Sequence, residues 1–179
     1  MDLEVFLNRL KQHDYSTYLH SRRVCSLAIL IGEKIMLSER ELEELKTVAL
    51  LHDIGKTMVP RELLNKATTL SKEEIVLLKN HSIYGANIMK GNCPRSIYDG
   101  IKSHHEFFSG NGYPDKLKGE EIPIYSRIIA IADAFDAMTN SRPYRKNPLQ
   151  FDEAWGEIEI HSERQFDPYI VKRLAKPEL

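Results

Sequence analysis

The sequence predicts an all-helical fold in a single domain, and three observations carry that prediction. Apolar residues recur at intervals of three and four along most of the 179 residues. No stretch alternates with the period of a strand, and no βαβ rhythm is present. Twice a serine stands three residues before a glutamate, Ser38 with Glu41 and Ser71 with Glu74, the form of a helix-opening capping box. The length suits one domain with a real core. Residues 1–14 read as an N-terminal helix and residues 15–179 as the body of the domain, with no internal repeat and no linker.

Taken in order, Leu3, Phe6, Leu7 and Leu10 make a short amphipathic helix from Asp2 to Lys11. A second runs from about Ser16 to Leu37, with Leu19, Val24, Leu27, Ile31 and Ile35 inward and His20 among them. The box at Ser38 opens a third, which ends in His52-Asp53 before Gly55 breaks it. A short turn follows at Leu63-Leu64. The box at Ser71 opens one helix that carries Ile75, Leu78, His81, Ile88 and Met89 as far as Gly91-Asn92. Pro94 suits the first turn of the next, which runs to His104-His105-Glu106. Residues 107–123, rich in glycine and proline, read as a long loop. Ile124 to Met138 is strongly apolar with Asp133 and Asp136 three apart, so either carboxylate could face inward. Two more helices, about Phe151 to Ser162 and Pro168 to Lys176, finish the chain.

The composition excludes several classes of function. A formal net charge of −1 leaves no global footprint for duplex nucleic acid or an anionic membrane. Cys25 and Cys93 form no CxxC, and the first residues lack the layout of a signal peptide, which reads as a reduced, cytoplasmic protein. No apolar run nears the roughly 20 residues that a membrane helix needs.

The histidines carry the chemistry. His52-Asp53 taken alone is equally a capped turn beside a satisfied core histidine. His20, His52, His81, His104 and His105, however, all sit in or at the end of apolar helical faces. Five imidazoles and two carboxylates buried in one small domain would cost several kcal/mol unless something satisfies them together. A pair of divalent metals does so. Mixed imidazole and carboxylate donors suit iron, manganese, zinc, nickel or cobalt, and disfavour calcium or a purely magnesium cage. Two metals about 3.5–4 Å apart, sharing a carboxylate, are suited to phosphoester hydrolysis. His13 and His161 lie in polar surroundings and read as surface residues.

His52-Asp53-Ile54-Gly55-Lys56, His81, His104-His105-Glu106 with Gly110-Asn111-Gly112-Tyr113-Pro114, Ile131-Ala132-Asp133 and Arg142-Pro143-Tyr144-Arg145 together resemble the HD-GYP subgroup of the HD phosphohydrolase superfamily, over nearly the whole chain. The resemblance implies a helical phosphohydrolase fold with a metal centre between helices, and cyclic di-GMP as the usual substrate. It implies that His20, His52, Asp53 and Asp133 hold one metal. Asp53 would bridge to a second metal held by His81, His104 and His105. Lys56 would sit beside the scissile phosphate, and with Asp53 forms the catalytic pair. Arg142 and Arg145 match the basic pair that grips the substrate, and Tyr113 either packs on a nucleotide or pins its loop. Asp133 is then the ligand, with Asp136 behind it or at the helix end.

Two positions depart from the family pattern. Ser109 replaces the usual Asp before the first loop glycine, so a carboxylate that would fix the loop is missing. Ser16, four residues before His20, stands where members with a third metal carry Glu. The expected activity is a metal-dependent phosphodiesterase that converts cyclic di-GMP to the linear dinucleotide. Alternatives are another cyclic dinucleotide or a nucleoside phosphate as substrate, or a non-catalytic module docking a cyclase or regulatory partner through Gly110–Pro114.

Overall fold

The computed structural model describes residues 2–140 and 147–175, so Arg142 and Arg145 lie outside the described residues. The chain opens with α1, Leu3–His13, where the Asp2 carboxylate accepts from the Glu4 amide. Asp14 ends α1 and starts α2, Tyr15–Lys34, by accepting from the Thr17 amide at 2.7 Å. The capping box at Ser38 is complete in both directions and opens α3, Glu39–Leu51. A 3₁₀ turn over Ile54–Met58 and the short α4, Arg61–Leu64, follow.

The single helix expected after Ser71 is two, α5 over Lys72–Lys79 and α6 over His81–Met89. Side chains compete with the backbone at the break: the carbonyls of Leu78 and Lys79 accept from the His81 ring and the Ser82 hydroxyl. Next comes α7, Arg95–Lys102, which stops before the histidine pair expected to close it. After the long loop, α8 covers Ile124–Thr139, α9 Phe151–Ile160 and α10 Pro168–Leu174. No strand is present among the described residues.

The core lies where α2 packs on α3 and α8 while α7 packs on α3 and α6. Val24 and Ala28 of α2, Leu45, Val48 and Leu51 of α3, Ile101 of α7, and Ile128 and Ile129 of α8 are fully buried there. Each such branched side chain contributes about 1.5–3 kcal/mol on burial. Leu19, expected inward, is exposed, and the inner stripe of α2 is Val24, Ala28 and Ile31 with His20 one turn before it. No helix among the described residues is long and apolar enough to cross a membrane.

Candidate metal centre

Three of the histidines obey one local rule. His52, His81 and His104 each stand just past the last turn of a helix (α3, α5 and α7), where carbonyls lack a partner in the ladder. Each ring Nδ1 donates to the carbonyl three residues back: Ala49 at 2.7 Å, Leu78 at 2.6 Å and Ile101 at 2.7 Å. Those bonds place the proton on Nδ1 and leave Nε2 as a bare lone pair. His20, inside α2, is held the same way by a side chain, with its Nδ1 2.6 Å from Asp136 Oδ2.

All seven residues expected as ligands come together. His20, His52 and Asp133 form one group of converging donor atoms, and His81, His104 and His105 form another. Asp53 lies between them. Its Oδ2 is 3.4 Å from His52 Nε2 and 3.8 Å from His20 Nε2, and its Oδ1 is 3.3 Å from His81 Nε2. His20 Nε2 is also 3.0 Å from Asp133 Oδ1.

The arrangement fits cations better than hydrogen bonds. His81 Nε2 lies 3.2 Å from His104 Nε2 and 3.2 Å from His105 Nε2. With the protons of His81 and His104 held on Nδ1, no hydrogen stands between those two atoms, and two buried lone pairs face each other. His52 Nε2 is buried and makes no hydrogen bond among the described residues. An orphaned buried polar atom costs about 1–3 kcal/mol, which a coordinated cation would recover.

Burial pushes His81 down to about 4 and His105 down to about 3, and holds His104 well below the ordinary imidazole value with help from His105. These rings are neutral near pH 7, as metal ligands must be. His20 differs: burial lowers its pKa, but bonds to Asp133 and Asp136 outweigh burial and raise it. For Asp53 burial works upward, yet Lys56 and the neighbouring histidines hold it well below the usual carboxylate range. Asp133 is depressed in the same way, with His20 the main opponent of burial.

The two carboxylates that spacing left open are separated by the fold. Asp133 faces the centre, while Asp136 stands behind His20 and also accepts from Arg23 Nε at 2.6 Å and Asn140 Nδ2 at 3.0 Å. Sequence reasoning missed Arg23. Its signal is the i+3 spacing from His20, which puts both on one face of α2.

Gly55 explains how the residues after α3 reach α6. A Cβ at position 55 would lie 1.8 Å from the His81 carbonyl oxygen and 2.5 Å from the Gly85 nitrogen. Only glycine allows that backbone contact, which brings Asp53 and Lys56 against His81. Lys56 Nζ then lies 2.7 Å from Asp53 Oδ2.

The loop expected to lack an anchoring carboxylate has one elsewhere. Glu106 is buried, and its Oε1 accepts from the Asp115 amide at 2.6 Å. The amides of Phe108 and Ser109 bond to the carbonyls of Gln165 and Arg164. Ser109 Oγ accepts from Asn111 Nδ2. The loop delivers Tyr113 to the centre, where its ring stacks on His105.

Asp14, Ser16, Thr17, Leu64, Asn65 and Leu78 ring the cleft over the centre, a cavity of about 290 Å³. His13 and His161 lie outside it. His13 is not simply solvated, since its Nε2 is 3.0 Å from the Val59 carbonyl and ties α1 to the 3₁₀ turn. His161 sits 3.7 Å from Glu157 at the surface.

With this geometry in hand, the comparisons are specific. The family model for the HD domain matches residues 4–170. The chain is 39% identical to a cyclic di-GMP phosphodiesterase of Thermotoga maritima, over 96% of this chain and 48% of that protein. It is 36% identical to the cyclic di-GMP phosphodiesterase response regulator RpfG of Xanthomonas campestris pv. campestris, over 93% of this chain and 45% of that one. The chain thus spans just under half the length of each of these relatives. A solved cyclic GMP-AMP phosphodiesterase of V. cholerae superposes with a TM-score of 0.66 at 26% identity, over 96% of this chain and 45% of that one.

Proposed function

The chain belongs to the HD domain family, and from that premise we propose that it is a metal-dependent phosphodiesterase that opens cyclic di-GMP to the linear dinucleotide. The observation that carries the reading is Asp53, set between two groups of converging donors with one carboxylate oxygen toward each. His20, His52, Asp53 and Asp133 would hold one divalent transition metal, and Asp53, His81, His104 and His105 a second. When bound, such a pair supplies Lewis acidity toward phosphoryl oxygens and makes water nucleophilic at neutral pH.

The chain's own groups supply the rest. The Nδ1 anchors hold the rings of His20, His52, His81 and His104 in place before substrate arrives, so little reorganisation is needed at the moment of reaction. Lys56 spends one N–H on Asp53 and keeps two for the phosphate, where its charge opposes the charge that develops on the departing ribose oxygen. The same ammonium, or an ordered water, would hand that oxygen a proton. Arg142 and Arg145 are proposed to grip the phosphates and guanine with planar forks. Arg142→Ala should raise KM about 10–150-fold with metal content intact, a loss of about 1.5–3 kcal/mol of charge-assisted contact. Unchanged kinetics would remove that role.

Ser16 supports the choice of product. It lies on the rim of the cleft, one turn from His20, and a serine hydroxyl is neutral and too short to help hold a third cation. Two metals per chain are expected. The terminal phosphate of the linear dinucleotide then lacks a cation to neutralise it, and the linear product accumulates. Turnover with manganese or iron(II) across several cyclic dinucleotides, followed by chromatography, tests the proposal. Absence of cleavage with any metal would sink it, and early GMP would sink the linear product. Faster cleavage of cyclic GMP-AMP would support the reading suggested by the V. cholerae structure.

A further inference from the structure

We infer that Tyr113 is a positioning residue for His105, clamped between that imidazole and the ammonium of Lys79, rather than a platform for a nucleotide base. The inference rests on the proposed metal centre and deepens it.

His105 is the exception among the five histidines. Nδ1 of His20, His52, His81 and His104 is anchored to Asp136 or to a backbone carbonyl. Among the described residues no such partner is found for Nδ1 of His105, whose only hydrogen-bond contact is Nε2 toward His81. A ring without that anchor can swing, and orientation of a ligand is what the outer contact normally provides. Here a stacked ring takes that place. The rings of His105 and Tyr113 lie 4.8 Å apart, centroid to centroid, and 28° from parallel.

The loop is shaped for this contact. A Cβ at position 112 would fall 2.2 Å from the Phe107 nitrogen and 2.5 Å from the Glu106 Cα, so only glycine lets residues 112–113 lie flat against 106–107. The Tyr113 amide then donates to the His105 carbonyl at 3.2 Å, tying the two residues through the backbone as well. Lys79, the last residue of α5, sets its Nζ 4.9 Å from the centre of the Tyr113 ring. With His105 stacked on one face, the other is the face left for that ammonium, a cation–π contact. A base stacking on that face would have to displace the Lys79 ammonium. The Tyr113 hydroxyl makes no hydrogen bond among the described residues, so the ring and not the hydroxyl does the positioning.

The test is metal affinity of the purified chain without substrate, titrated with manganese from the metal-free state and read by electron paramagnetic resonance. Tyr113→Leu should weaken one of the two metals about 10–100-fold and leave the other unchanged, the usual effect of removing an orienting partner. Tyr113→Phe keeps the stack and should retain affinity within about two-fold. Lys79→Met removes only the outer cation and should cost about two- to five-fold. KM for cyclic di-GMP at saturating manganese should stay near native in Tyr113→Leu.

Native affinity in Tyr113→Leu with a raised KM would overturn the inference in favour of the platform. Equal loss in Tyr113→Phe would overturn it in favour of the hydroxyl. If circular dichroism shows Tyr113→Leu unfolded, Lys79→Met decides alone, and unchanged affinity there overturns the clamp. A native chain that takes up no metal overturns the centre itself. A native chain with two metals beside a Tyr113→Leu chain that binds both equally well overturns only this inference.

Discussion

The pocket of His20, His52 and Asp133 contains a carboxylate and a histidine whose pKa is raised, whereas the pocket of His81, His104 and His105 is all imidazole and neutral. The difference lies in what stands behind the rings. Asp136 and Asp133 flank His20 with negative charge, so a proton is welcome there in the metal-free chain. Backbone carbonyls and the Tyr113 ring back the second pocket, and a carbonyl orients an imidazole without making it basic enough to overcome burial. Two sites a few ångströms apart are thus given different proton affinities by their second layer of contacts. Asp53 lies between the two groups, near histidines of each.

The most severe way to break the comparison is to remove that shared group. Asp53→Ala should abolish both metals and all turnover, because neither pocket keeps its carboxylate bridge and Lys56 loses its partner. Elemental analysis decides it, and a variant that keeps two metals would end the bridging assignment.

Acid should sharpen the contrast. The raised pKa of His20 lets protons compete with metal at and above pH 6.5, the ordinary imidazole value, while His81 and His105 bind protons only near 4 and 3. On lowering pH from 8 to 4 the metal beside His20 should leave first and the other near the acid end, in two steps. Metal content after desalting at each pH reads this directly. One concerted step would mean that the pockets do not differ in this way.

The smallest change asked for is Asp136→Asn. The amide can still accept from Arg23 but carries no charge, so His20 loses basicity as a ligand. Affinity should fall about 10–100-fold at one pocket only, the usual cost of altering such a partner. Equal loss at both would show that Asp136 acts through general stability instead.

Much of this was legible in the sequence because it is local. The capping serines form their boxes, since a helix leaves its first amides without partners whatever it packs against. Donor types are equally local, and the seven residues that the family resemblance implied as ligands lie together. Other features were out of reach because they depend on residues far apart along the chain. Asp133 and Asp136 differ only in which side of His20 they meet, 116 residues away in the case of Asp136. The break at Asn80 requires the Leu78 carbonyl to be taken by a ring that the centre holds in place. Glu106 anchors the loop across 9 residues where Ser109 could not. By itself, then, the sequence determined that the chain is helical, where the serine-capped helices start and the kind of donor each helix presents, because hydrogen-bonding and capping energies act within a turn or two. Only the tertiary structure decided which carboxylate faces the centre and which stands behind it, and what holds His105, because those choices are made by packing between helices that the chain brings together from opposite ends.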